Sequence, residues 1–313
     1  MLKKWHIGVA FGALMAVGFS VGASADEAYI PLISKGFQHQ FWQAVKLGAE
    51  QAAQKDGVRI TFEGPESEAM VDKQIDMLSA ALAKKPQALG FAALDSKAAI
   101  PLLQKAQDAK IPVIAFDSGV DSDIPLTTCR TDSVAAAGTA ADKMAELIGD
   151  EGEVAVIVHD QTSRTGIDRR DGFLNEMKDK HPNIKIVSVQ YGAGDHLKSA
   201  EIAKADIQAH PNLKGIFGAN EGSAEGAAIG VKELGKKIVL IGFDSGKEQK
   251  DEIRSGLMAG AITQNPVGIG TCTVDSAVKA LKGETLPKVI DTGFYWYDKT
   301  NIDEPKIAAV LYD

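Results

Sequence analysis

From Asp26 to the C-terminus, short apolar runs alternate with longer segments of helical period, and the alternation hardly varies. AYIPLIS (28–34) reads as a strand, Phe41 to Gln54 as a helix and RITFEG (59–64) as a strand. Val71, Ile75, Leu78 and Leu82 then recur at i, i+4, i+7 and i+11 on one helix face. ALGFAAL, IPVIAFD, EVAVIVHD, IKIVSVQY, KGIFGAN and KIVLIGFD are near-continuous apolar strands. A strand can be apolar at every position only where both faces of its sheet are covered, which points to parallel sheets flanked by helices, a doubly wound α/β fold. Strand LTTCRTD (126–132) reads as the start of a second series of units whose order repeats the first, with no long linker between them. In open parallel sheets ligands bind outside the carboxyl ends of the strands. Ser34, Asp117, Asp160, Gly192, Asn220 and Asp244 end strands, so a site is expected at or beside them.

The first 25 residues have a different character. Lys3 and Lys4 form a positive start, Ile7 to Val21 an apolar run too short to cross a bilayer, and Ala23-Ser24-Ala25 a small-residue cleavage site. This is an export signal, and the mature chain is expected to begin at Asp26 in the periplasm. Of 313 residues, 288 then remain, enough for two cores, and loss of the two leader lysines takes the net charge from −8 to −10. With no basic stripe to neutralise phosphates, nucleic acid is excluded as a partner. Cys129 and Cys272 are the only cysteines. An oxidising compartment permits them to pair, but sequence leaves their separation open.

No G-x-S-x-G elbow, Walker A motif or H-E-x-x-H occurs, and Gly268-Ile269-Gly270 does not follow a strand so as to open a phosphate-binding helix. The reading is of a binding protein, not an enzyme, with no metal and no cofactor. Glycoside hydrolysis by strand-end carboxylates is the remote alternative. Carboxylates that accept, an arginine that donates two parallel N–H groups, amides that do both and aromatic faces together suit a polyhydroxylated ligand.

Four segments in order, QTSRTGIDRRDGF, GIFGANEGSAEGAA, VLIGFDSG and GAITQNPVGIG, resemble the sugar-binding proteins of ABC importers, the ribose-binding-like group of type I periplasmic binding proteins. The likeness spans essentially the whole mature chain. It implies two α/β lobes, 26–131 plus 265–291 and 132–264 plus 292–313, joined by three crossings near Thr131, Gln264–Asn265 and Asp291 that act as a hinge. It implies a monomer that delivers a sugar or polyol to an ABC permease in the inner membrane, or that feeds a chemoreceptor or sensor kinase. The ligand positions carried over are Phe41, Trp42 and Asp117 in the first lobe, and Arg169, Asn220, Asp244 and Gln264 in the second. Two departures bear on the ligand. The loop Ser34 to Gln40 lacks the asparagines and proline of ribose binders, which adds Lys35, Phe37 and His39 as candidates and makes ribose itself doubtful. Gly194 stands where many relatives have an aromatic ring, so one wall is expected to come from elsewhere, Phe37 being the candidate, with room for a larger substituent.

Overall fold

The computed structural model describes residues 1–2 and 27–313. The leader's apolar run and its cleavage point lie outside these residues. Among the described residues no helix is long and apolar enough to cross a membrane.

The chain forms β1 (Tyr29–Ile33), α1 (Gln40–Asp56), β2 (Arg59–Glu63), α2 (Val71–Ala83), β3 (Leu89–Phe91), α3 (Ile100–Asp108), β4 (Val113–Phe116) and β5 (Thr127–Arg130). It continues with α4 (Ser133–Ile148), β6 (Gly152–Val158), α5 (Arg164–Lys180), β7 (Ile184–Tyr191), α6 (His196–Ala209), β8 (Leu213–Gly218), α7 (Glu221–Leu234), β9 (Val239–Phe243), α8 (Lys247–Ser255) and β10 (Gly260–Gln264). Last come α9 (Pro266–Leu281), β11 (Val289–Asp291), β12 (Phe294–Tyr297) and α10 (Pro305–Ala308).

Two six-stranded sheets result, in the orders β2-β1-β3-β4-β5-β11 and β7-β6-β8-β9-β10-β12. All neighbours are parallel except β10 and β12. The order reverses beside β1 in one sheet and beside β6 in the other, the switch points at which such sheets open a crevice. LTTCRTD does not begin the second series. Its strand β5 pairs with β4 and β11 in the first sheet, Phe116 standing opposite Cys129. Its pattern is that of any buried parallel strand, and its partner is chosen by the crossover that follows.

Burial explains why the strands are apolar throughout. Ile30 and Leu32 of β1 face α1 and α9, while the intervening Ile33 packs with Leu78 of α2 and Leu103 of α3. The second sheet repeats the plan, with Val154, Val156 and Val158 toward α4 and α5 and Ala155 and Ile157 toward α6 and α7. Helices α1 and α9 approach so closely that a Cβ on Gly270 would lie 2.0 Å from the Val45 carbonyl oxygen, so that glycine serves packing. Cys129 in β5 and Cys272 in α9 form a disulfide across this lobe.

The backbone passes between the sheets after β5, between β10 and α9, and between β11 and β12. The first and third passages are tied together. Thr131 Oγ1 donates to the Gly293 carbonyl at 3.3 Å, and Thr292 N–H to the Arg130 carbonyl at 3.0 Å.

Candidate functional site

The carboxyl ends of both sheets contribute to one cavity of about 260 Å³. Lys35, His39, Phe41, Trp42, Glu68 and Asp117 line it from the first sheet's side, and His159, Thr165, Arg169, Asn220, Asp244 and Gln264 from the second. Asp117 and Asp244 occupy equivalent places in the two halves. Each follows its strand with positive φ, +54° and +81°, a conformation that costs a non-glycine residue about 1–3 kcal/mol. The next strand holds each turn: Asp117 N–H donates to the Cys129 carbonyl at 2.9 Å and Asp244 N–H to the Ile262 carbonyl at 2.6 Å. The sharp turn brings each carboxylate to the cavity instead of continuing the ladder.

On the first wall, buried Lys35 donates to Thr165 Oγ1 at 3.2 Å and lies 3.4 Å from Glu68 Oε2 and 4.0 Å from Asp160 Oδ2. Burial alone would lower the Lys35 pKa, but Glu68 and Asp160 override it and hold the ammonium above its ordinary value. Burial opposes ionisation of Glu68 as well, yet Lys35 and His39 bring it down to about 2. Glu68 also accepts from the Trp42 indole N–H at 2.8 Å, which fixes that ring beside Phe41, the two centroids 5.0 Å apart and edge-on. Asp117 differs from its neighbours. It has no side-chain hydrogen bond to another described residue, and burial raises it to about 6 against the pull of Lys35 and Arg169. It caps no helix, since β5 is the next element.

On the second wall, the Arg169 guanidinium stacks 3.8 Å above the Phe243 ring, donates from Nη1 to the Ala219 carbonyl at 2.9 Å and lies 3.8 Å from Asp244 Oδ2. Asp244 accepts from Gln264 Nε2 at 2.7 Å and from the Glu221 N–H at 3.1 Å. Asn220 divides its amide. Oδ1 caps α7 by accepting from Ser223 N–H at 2.9 Å, and Nδ2 lies 3.4 Å from His39 Nε2. Burial, reinforced by Lys35, lowers His159 to about 3, and burial likewise lowers His39, so both imidazoles are neutral near pH 7.

Four buried polar atoms on these lining residues have no partner among the described residues: Arg169 Nε, Gln264 Oε1, His39 Nδ1 and His159 Nδ1. A buried polar group without a hydrogen bond costs about 1–3 kcal/mol, so their gathering on the lining of one cavity marks it as built for a ligand rich in donors and acceptors. Among the described residues no group of three or more His, Cys, Asp or Glu is placed to hold a metal ion.

Of the positions expected from sequence, Lys35, His39, Phe41, Trp42, Asp117, Arg169, Asn220, Asp244 and Gln264 all reach this cavity, and Phe37 does not. Phe37 packs edge-on against Phe62 of β2, centroids 6.0 Å apart, because that apolar surface lies within its reach. The expected extra room at Gly194 is also absent. A Cβ there would meet His39 Nε2 and Asn220 Nδ2 at 3.1 Å and Gln38 Nε2 at 3.3 Å, so polar side chains of the opposite half already occupy the place of a ring. Glu68, His159 and Thr165 were missed. Glu68 sits in the loop after β2, a strand end that carries no polar residue of its own pointing to it. His159 precedes Asp160, whose carboxylate instead accepts from the Thr162 and Ser163 N–H groups at the start of α5.

Comparison with known proteins agrees with this geometry. Residues 30–285 match the periplasmic binding protein domain family. The chain is 29% identical over 287 residues to the D-allose-binding periplasmic protein of Escherichia coli, covering 88% of this chain and 92% of that protein. It is 25% identical over 271 residues to a ribose import binding protein of Bacillus subtilis, covering 87% of each. Among solved structures, an ABC transporter solute-binding protein from Agrobacterium vitis bound with α-D-tagatopyranose superposes with a TM-score of 0.88 at 35% identity, covering 92% of this chain and 100% of that one. A carbohydrate transporter solute-binding protein from Agrobacterium radiobacter in complex with D-arabinose gives 0.89 at 32% identity, with the same coverage. Two sheets joined by three passages, a polar cavity at their facing carboxyl ends and a family match over most of the chain lead to one conclusion: this protein belongs to the periplasmic binding protein family.

Proposed function

We propose that this protein is the periplasmic receptor of an ABC importer and captures one neutral monosaccharide, or a polyol of that size, between its two lobes. The lobes are residues 26–131 plus 265–291 and 132–264 plus 292–313, and the three passages between the sheets form the hinge. The observation that carries the reading is the set of unpartnered buried polar atoms contributed by both lobes to one cavity. A ligand that satisfies them can do so only when the lobes are together, so it binds the closed form preferentially and shifts the equilibrium toward it. The closed form then docks on the permease in the inner membrane, and residues 1–25 serve as the export leader, cleaved after Ala25.

Charge balance favours a neutral cargo. Lys35 is engaged by Glu68, and Arg169 by Ala219 and Asp244, so no lining cation is left for a sugar acid. Asp117 is left to accept from hydroxyls, and Phe41 and Trp42 to cover C–H faces. The volume, about nine waters' share of liquid at ~30 Å³ each, fits one sugar ring with its hydroxyls. Relatives bind sugars of this kind, among them D-allose, ribose, D-arabinose and tagatose. Binding proceeds without chemistry: Asp244 is held by Gln264 and Glu221, and Glu68 is locked as a carboxylate, which leaves no pair of free acids to cleave a glycoside.

A thermal-shift screen against neutral aldoses, ketoses, polyols and sugar acids tests the reading. A ligand at 100 times its Kd adds about 2.7 kcal/mol, several degrees for a chain of this size. Neutral monosaccharides should raise the midpoint and sugar acids should not. No response to any neutral monosaccharide or polyol overturns it.

A further inference from the structure

Two helices that meet across the cleft lack caps of their own. The residue before α1, His39, makes no side-chain capping bond, and the first turn of α1 holds no acid. The residue before α8 is Gly246, which has no side chain to offer. Each helix is capped from the opposite lobe. Glu221, the first residue of α7, accepts from the Gln40 N–H at Oε1, 2.8 Å, and from the Phe41 N–H at Oε2, 3.1 Å, the first two amides of α1. Gln40 reciprocates, its Oε1 accepting from the Lys247 N–H, the first amide of α8, at 2.7 Å. The carboxylate also meets the positive end of the α1 dipole, where an anion is most favoured. Neither Glu221 nor Gln40 lines the cavity.

We propose that Glu221 and Gln40 form a reciprocal clasp in which each lobe caps a helix of the other, so that closure completes two helix termini and the clasp sets how long a captured sugar is held. The proposal rests on the reading that the lobes close over a ligand. Three N–H donors find protein acceptors when the lobes meet and return to water when they part, so the clasp favours closure whatever sugar is present. Tyr312 hydroxyl donates to Glu221 Oε2 at 3.2 Å and the Glu221 N–H donates to Asp244, which hold the carboxylate in place within its own lobe. Burial and the nearby Asp244 push the Glu221 carboxyl up to about 7, so a neutral amide of the same shape is well tolerated there.

The test is stopped-flow kinetics of the best-binding neutral monosaccharide with wild type, Glu221→Gln, Gln40→Ala and the double variant, together with the melting midpoint of each without sugar. Each single variant should release the sugar roughly five- to tenfold faster, as loss of a cap implies, with association nearly unchanged and the rank order of sugars preserved. The ligand-free midpoints should match wild type, since the clasp exists only in the closed state. Unchanged release in both variants, with wild type binding normally, overturns the clasp alone. A lowered ligand-free midpoint would make Glu221 a structural residue of its lobe, and an altered sugar preference would make it a direct ligand contact; either overturns the proposal. A wild type that binds no neutral monosaccharide or polyol overturns the receptor reading and the clasp with it.

Discussion

Asp117→Asn separates a ligand-binding role from a structural one. Asp117 is 6% exposed, sits at φ +54° and has no side-chain partner among the described residues. Asparagine keeps its shape and tolerates the left-handed conformation about as well as aspartate does. The rise from 3.8 to about 6 means that burial disfavours the carboxylate in the fold, a cost of roughly 3 kcal/mol once the pH is above both values. Replacing the charge relieves that cost and adds an amide whose own desolvation is about 1–3 kcal/mol, so the ligand-free variant should be as stable as wild type, or more so, at pH 8. In the complex the variant loses charge-assisted hydrogen bonds to sugar hydroxyls worth about 1.5–3 kcal/mol, or about 10- to 150-fold in affinity. Isothermal titration calorimetry and melting of the free protein read the two effects independently. Wild-type affinity in the variant would remove Asp117 from the ligand, and a clearly lowered midpoint would make its carboxylate part of the fold.

Arg169→Ala should behave differently, because it strips the buried Ala219 carbonyl of its donor and leaves Asp244 without its cation. Affinity should fall by about 2–5 kcal/mol and the ligand-free midpoint should fall with it, whereas a midpoint equal to wild type would show that the guanidinium does not brace the second lobe. The Cys129–Cys272 bridge closes a loop with a separation of 143 residues, for which chain entropy sets an upper figure of about 5 kcal/mol. The double alanine variant should lose 2–4 kcal/mol in urea unfolding yet hold sugar within about twofold of wild type, both cysteines lying in the first lobe's core away from the cavity; a large loss of affinity would show that the bridge shapes the site. Stability should also rise as pH falls from 8 to 6.5. Burial first, with neighbouring acids, raises Glu221 to about 7, Glu252 to about 8 and Glu225 to about 9, so in that window the folded protein holds protons that the unfolded chain releases. Below 6.5 His159, lowered to about 3, gives the opposite slope, and a midpoint that falls between pH 8 and 6.5 would contradict the assignment.

The layered fold was legible because burial on both sheet faces leaves a mark at every position: Ile30, Leu32 and Ile33 read as one apolar run although they enter two different cores. Strand membership was not so marked. LTTCRTD looked like the start of a new series, yet β5 completes the first sheet, because the choice between adjacent sheets depends on the path of the crossover rather than on the strand's own residues. Asp117, Asn220 and Asp244 were legible because a polar residue that ends a buried strand has few other uses. Phe37 shows the limit of that logic: a loop aromatic goes to whichever apolar surface it can reach, and Phe62 lay nearer than the cavity. Glu68 and the filling of Gly194 by His39 and Gln38 depend on contacts between segments distant in sequence, which no local pattern records.

The most direct test of capture by closure is small-angle X-ray scattering during titration with the best-binding neutral monosaccharide. The radius of gyration should decrease and saturate at one sugar per chain, and Asp117→Asn should require a sugar concentration higher by its loss of affinity to reach the same compaction. Binding that saturates with no change in the radius of gyration would contradict capture between the two lobes.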